Sequence, residues 1–173
     1  EHMATERDMR HYILGATEES AQKQLPSCDL QEDIVGFMVG VLREDHLSQH
    51  INYYFPSRST RKLLRHSGPD ILQYDPLTKA TPLRTNPEVA RLIFKDLLTN
   101  AIKNVNGEAP RVRIRVSATE AGWRVTIENN HAIDAHWMQR INSTDESILD
   151  SVENLGIYMY KRCARVLGWT IRC

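Results

Sequence analysis

NPEVARLIFKDLLTNAIKNVNGEAPRVRIRVSATEAGWRVTIENN spans residues 86–130, and within it the hydrophobic period changes from that of a helix to that of a strand. The first half opens on helix-start signals. Asn86 suits the N-cap, Pro87 the first helical position, and Glu88 the positive end of the helix dipole. The apolar spacing carries the helix to about Val105, and Asn106-Gly107 stops it. In the second half Val112, Ile114 and Val116 alternate with Arg111, Arg113 and Arg115. Trp123, Val125 and Ile127 alternate with Arg124 and Thr126, and Thr119 to Gly122 supply a turn. Alternation at period two sends successive side chains to opposite faces, so each strand buries one face. A helix and a hairpin, each with one apolar side, predict an α+β architecture.

Upstream, residues 6–25 are mostly helix-forming and Pro26 ends them. Asp29 is an N-cap candidate with Glu32 at capping-box spacing. Ile34, Val35, Phe37, Met38, Val41 and Leu42 give the next helix, about 30–50, a broad apolar face. Residues 1–55 are thus expected to form a helical hairpin, with a second domain over 56–173. Ser57 to Ser67 reads as a short basic helix and Ile71 to Tyr74 as a strand, while Pro76, Pro82 and Pro87 mark loops. Downstream, Asp134 to Ile141 predicts a short helix and Ser143 to Glu153 a polar, acidic loop. Ile157 to Leu167 predicts another helix, with Gly156 before it and Gly168 at its end, and Trp169 to Cys173 begins a strand.

The 173 residues carry 22 Lys and Arg against 22 Asp and Glu. Zero formal charge argues against a general nucleic-acid or anionic-membrane binder. No apolar run reaches the roughly 18 residues of a membrane span. Glu1-His2-Met3 reads as a leftover of cloning. Cys28, Cys163 and Cys173 lack metal-ligand spacing and read as reduced thiols of a cytoplasmic protein, or of the cytosolic part of a membrane receptor. His46 and His50 have the i,i+4 spacing of some metal sites, but with no further ligand in register they read as a surface pair.

Three groups of polar residues stand out. Asp96, Asn100 and Lys103 fall on one stripe of the helix, which is either an ordinary wet face or the wall of a ligand site. Asn129-Asn130 ends the second strand in VTIENNHAI, residues 125–133, and reads as a turn. Gly156, in ENLGIYMYKRCARVLGW, residues 153–169, opens a helix at a loop junction, where backbone N–H groups can face an anion.

In order and spacing, these three motifs resemble the ATP-binding domain of sensor histidine kinases, relatives of the ATPases of gyrase, a heat-shock chaperone and MutL. The resemblance covers about residues 68–173. Asp96, Asn100, Ala101 and Lys103 are similar to the family's N-box, with Asp96 in place of Asn or Glu. Asn129-Asn130 stands where the family has Asp-Asn, and His131 and Ile133 stand where it has glycines. Asn154 replaces the first Gly of the family's Gly-x-Gly-Leu box, Gly156 keeps the second, and Ile157 stands for Leu. Ser143 to Glu153 falls where the family has its ATP lid.

The resemblance implies a two-layer α/β sandwich of the Bergerat type, a mixed sheet covered by helices on one face, preceded by a helical hairpin. It implies ATP and Mg2+ as cofactors, with Asn100 as the metal ligand. Asn100, Lys103, Asn104, Asn129, Asn130, Asn154 and Gly156 would bind ATP, and Asp96 would act as a base. The N-terminal helices would dimerise the chain, and His11, three residues after Asp8, would accept the γ-phosphoryl group. The family's usual acid directly after that His is Tyr12 here, and no Pro follows before Pro26. The implied activity is a protein histidine kinase of a two-component system, with a response regulator as partner. The departures from the family's motifs also leave open a degenerate domain that binds nucleotide weakly or not at all and serves as a docking or phosphotransfer scaffold.

Overall fold

The helix predicted in the opening stretch forms over Pro87–Lys103, with Asn86 as its N-cap. The Asn86 carboxamide oxygen accepts from the Val89 N–H at 3.1 Å, filling one of the donors that a helix start leaves open. The computed structural model describes residues 25–43, 48–59, 61–62, 71–105, 111–143, 161 and 163–173. The chain divides into two compact units, one of Ser27–His131 and one that holds Ala132–Cys173 with the N-terminal residues.

In the first unit the elements run as follows. Strand β1 (Ser27–Asp29) leads into a π-helical turn (Leu30–Val35) that continues as helix α1 (Gly36–Arg43). Helix α2 (Ser48–Tyr54), strand β2 (Leu72–Asp75) and strand β3 (Pro82–Arg84) come next. Helix α3 (Pro87–Lys103) and the hairpin β4 (Val112–Thr119) and β5 (Gly122–Asn129) complete it. The fold is mixed α+β. One sheet has the order β2-β4-β5, with β2 parallel and β5 antiparallel to β4, and β1 pairs antiparallel with β3 in a separate ribbon. The parallel pair β2 and β4 requires a crossover, and α3 lies in it.

The hairpin forms in the expected register, Val112 opposite Asn129 through Thr119 opposite Gly122. Val112, Ile114 and Val116 are buried on β4, while Arg113 and Arg115 face water. On β5 the corresponding residues Trp123, Val125 and Ile127 are only half-buried. Helix α3 packs against β5, the π turn and α1. Its side chains Ala90, Ile93, Leu98 and Ile102 join Ile34, Val35, Met38 and Val41 in the core.

The region before α3 departs from expectation at four points. The expected helix over 30–50 is a π turn and two shorter helices. Asp29 caps it by accepting from Gln31 N–H and Glu32 N–H, but the returning carboxylate is Asp33, not Glu32. The wider π turn brings the residue four positions on back over the cap. Pro82 begins a strand rather than a loop, a position proline tolerates because its missing N–H falls at the start of an edge strand. Leu30–Tyr54, expected in a hairpin apart from the second domain, belongs to the same unit as α3 and the sheet. The apolar face of Ile34, Val35 and Met38 is the reason, because it packs beside α3.

A polar network holds the loop between β2 and β3 to the start of the π turn. The Asp29 carboxylate accepts from the Thr81 N–H at 2.6 Å and the Thr81 hydroxyl at 2.9 Å. The Gln31 side chain accepts from Leu77 N–H and donates to the carbonyls of Leu77 and Lys79. The Glu32 N–H bond is the largest influence on the Asp29 carboxyl. With the bonds from Thr81 and Gln31 it outweighs desolvation and holds the group below the ordinary aspartate range.

The second unit holds helix α4 (Ala135–Asn142), N-capped by Asp134, whose carboxylate accepts from His136 N–H. Helical residues 163–166 end in a Schellman turn at Gly168, φ 75°. The Trp169 N–H donates to Ala164 O and the Gly168 N–H to Arg165 O. The strand expected over Trp169–Cys173 does not form. Cys173 instead exchanges two backbone hydrogen bonds with the Asn142 carboxamide, so a side chain takes the place of a strand partner.

Candidate functional site

On α3 the buried residues Leu98 and Ile102 set the inner face. At 100° per residue Asp96, Asn100, Lys103 and Asn104 lie on the opposite side. Asn100, Lys103 and Asn104 are exposed, and the Asp96 side chain is 41% exposed with Lys95 Nζ at 3.5 Å. Asn104 ends the helix. Its backbone N–H and its side-chain amide both donate to Asn100 O, at 3.2 and 2.8 Å. The backbone bond is the last i→i−4 bond of the helix, and the side-chain amide adds a second donor to the same carbonyl.

Asn129, the last residue of β5, brings the adenine-motif position to this helix. Its Nδ2 donates to the carbonyl of Ala101 at 3.0 Å. Its Oδ1 accepts from His131 N–H at 3.3 Å. The two contacts together set the orientation of the carboxamide, with the donor toward α3 and the acceptor toward the chain leaving β5. Ala101 adjoins Asn100, so two of the three sequence motifs meet within one unit. Asn130 is exposed next to Asn129. His131 and Ile133, at the positions of the family's glycines, keep negative φ, since among the described residues only Gly122 and Gly168 have positive φ.

His11, Asn154, Gly156 and most of the expected lid lie outside the described residues. Asp96, Asn100, Lys103, Asn104, Asn129 and Asn130 lie within them, on α3 and at the end of β5. Sequence reasoning missed the Ala101 carbonyl as the anchor of Asn129. A backbone acceptor carries no residue-type signal. It also missed the cap made by Asn104, although an Asn at a helix end was legible as one.

The Asn100 carboxamide is exposed and neutral, which suits a single oxygen donor to a magnesium ion that keeps most of its waters. Among the described residues no three His, Cys, Asp or Glu side chains gather as a metal-binding group. His50 is exposed and rests edge-on against Phe37 at 5.3 Å. Among the described residues Cys28, Cys163 and Cys173 form no disulfide, and no helix is long and apolar enough to cross a membrane.

No protein-family model matches the chain, and no curated protein matches it significantly.

Proposed function

We propose that the chain is the cytoplasmic core of a sensor histidine kinase, with an ATP-binding unit of the Bergerat type. It would transfer the γ-phosphoryl group of ATP to a histidine, His11 in this chain, leaving ADP, and then pass it to an aspartate of a response regulator. One observation carries the reading: Asn129, at the adenine-motif position, bonds the helix at Ala101, next to Asn100 of the N-box-like stripe. In this reading Oδ1 of Asn129 keeps acceptor capacity for an exocyclic amine, because a carbonyl oxygen has two lone pairs. Lys103 and the amides of Asn100 and Asn104 would face the phosphates, and Asp96 would orient the attacking group. Magnesium, held by Asn100, would offset charge on the phosphate oxygens. Asn130, Asn154 and Gly156 would complete the nucleotide contacts, and the N-terminal helices would dimerise the chain.

A second reading, a degenerate domain serving as a scaffold, is favoured by the same carboxamide. Both ends of Asn129 already bond the chain itself. Titration calorimetry with magnesium and ATP separates the two. The kinase reading expects heat with the native chain and its loss in Asn100→Ala. Absence of heat at millimolar ATP leaves the scaffold. Where ATP binds, acid-labile phosphate that disappears in His11→Gln identifies the acceptor.

A further inference from the structure

Helix α3 is anchored near both ends by directional bonds, and the two anchors belong to different parts of the first unit. Near its start the Arg91 guanidinium gathers the helices before it. Arg91 Nε donates to Asp33 O at 2.7 Å, in the π turn. Its Cζ lies 3.9 Å from the Phe37 ring centre, on α1. Nη1 reaches the Tyr54 hydroxyl at 3.4 Å, at the end of α2, and Glu88 of its own helix at 2.8 Å. Tyr54 is buried, stands edge-on to Phe37, and points its hydroxyl at Glu88 as well. The Arg91 side chain is only 17% exposed. Near the far end, Asn129 Nδ2 holds Ala101 O. Ten residues of helix, about 15 Å, separate Arg91 from Ala101.

Between the anchors α3 buries Leu92, Ile93, Phe94 and Leu98. Apolar burial is non-directional, whereas the hydrogen bonds at each end constrain distance and angle. A displacement of α2 against α1 cannot keep the Tyr54, Phe37 and Asp33 contacts of Arg91 together. The helix between the anchors is continuous and hydrogen-bonded, so a shift of its backbone at Arg91 would carry to Ala101.

We propose that α3 is a lever with two anchors, in which the Arg91 cluster takes up movement of α1 and α2 and delivers it to the Asn129 side chain at the end of β5. The device goes beyond the nucleotide reading and does not require it. Whatever binds beside Asn129 would be tuned by whatever moves α2, whose exposed His50 rests against Phe37.

The test reads the far anchor directly, in the whole chain without nucleotide. The Asn129 side-chain amide is followed by 15N NMR and assigned through Asn129→Gln. Tyr54→Phe keeps the packed ring and removes only the hydroxyl. It is expected to shift or broaden the Asn129 amide pair while the backbone amides of Ile114 and Val116 keep their positions. Arg91→Lys keeps the charge but loses the planar fork, and it should displace the same pair in the same way. The lever is overturned if the Asn129 pair stays in place in either variant. It is equally overturned if Ile114 and Val116 move as much as Asn129, which marks general loosening. ATP failing to bind leaves these outcomes untouched, so the two ideas fail separately.

Discussion

The Asn129 carboxamide lies between two backbone partners, and that limits what can replace it. Its Nδ2 meets a carbonyl oxygen, where a carboxylate would offer only acceptors. Asn129→Asp, which restores the residue of the resembled family, is therefore expected to destabilise the fold by about 1–3 kcal/mol. Urea unfolding at pH 7 measures this, and an unchanged midpoint would show that the Ala101 bond contributes nothing. Asp29 carries the opposite lesson, because its bonds favour the charged form. Its folded pKa is depressed, so its stabilisation is complete above the unfolded value of about 3.9 and is lost as pH falls through the folded value. Asp29→Ala should cost about 2 kcal/mol at pH 7. It should also flatten the loss of stability that the native chain shows below about pH 4. Parallel acid titrations of the two proteins check both parts.

At the scale of elements the π turn is the feature that sequence patterning could not supply. Apolar spacing in Ile34, Val35 and Met38 suits an α-helix or a π turn equally over so few residues. The turn instead depends on Gly36, whose N–H bonds Gln31 O five residues back. A Cβ on Gly36 would stand 2.5 Å from that same Gln31 oxygen, a backbone atom. Gly36→Ala is expected to cost about 1–3 kcal/mol by forcing the turn apart, although alanine is the better helix former. Thermal unfolding tests it, and a raised Tm would mean the turn relaxes to an α-helix without penalty. The α3 start and the β4–β5 hairpin were legible because Asn86, Pro87 and strict alternation are local signals, whereas the helix ends at Lys103, short of the expected Val105. The β1–β3 ribbon was not, since three-residue strands carry no period and Pro82 reads locally as a break.

At the scale of the whole molecule the described sheet of the first unit has one covered face. Val112 and Ile114 are fully buried, while Arg113 and Arg115 pair with Asp75 and Glu128 in water. Ile114→Ala should therefore cost about 2–5 kcal/mol. Arg115→Ala should cost no more than about 1 kcal/mol, less in high salt. Chemical denaturation at low and high ionic strength compares them, and equal costs would contradict the layering. The same scale decides where residues 27–54 belong. Their helical character was readable from composition, but the packing of Ile34, Val35 and Met38 beside α3, and the contacts of Arg91 with Asp33, Phe37 and Tyr54 that accompany it, are linked by no sequence spacing. By itself, then, the sequence determined the local elements with strong periodic or capping signals: α3, the hairpin, the cap at Asp29 and the turn at Gly168. Only the tertiary structure decided that Asn129 turns its amide to Ala101, that Asp33 closes the Asp29 cap, and that α1 and α2 pack with the sheet-bearing unit. Those outcomes rest on bonds to backbone atoms and on contacts between distant segments, which residue identity leaves open until the chain is packed.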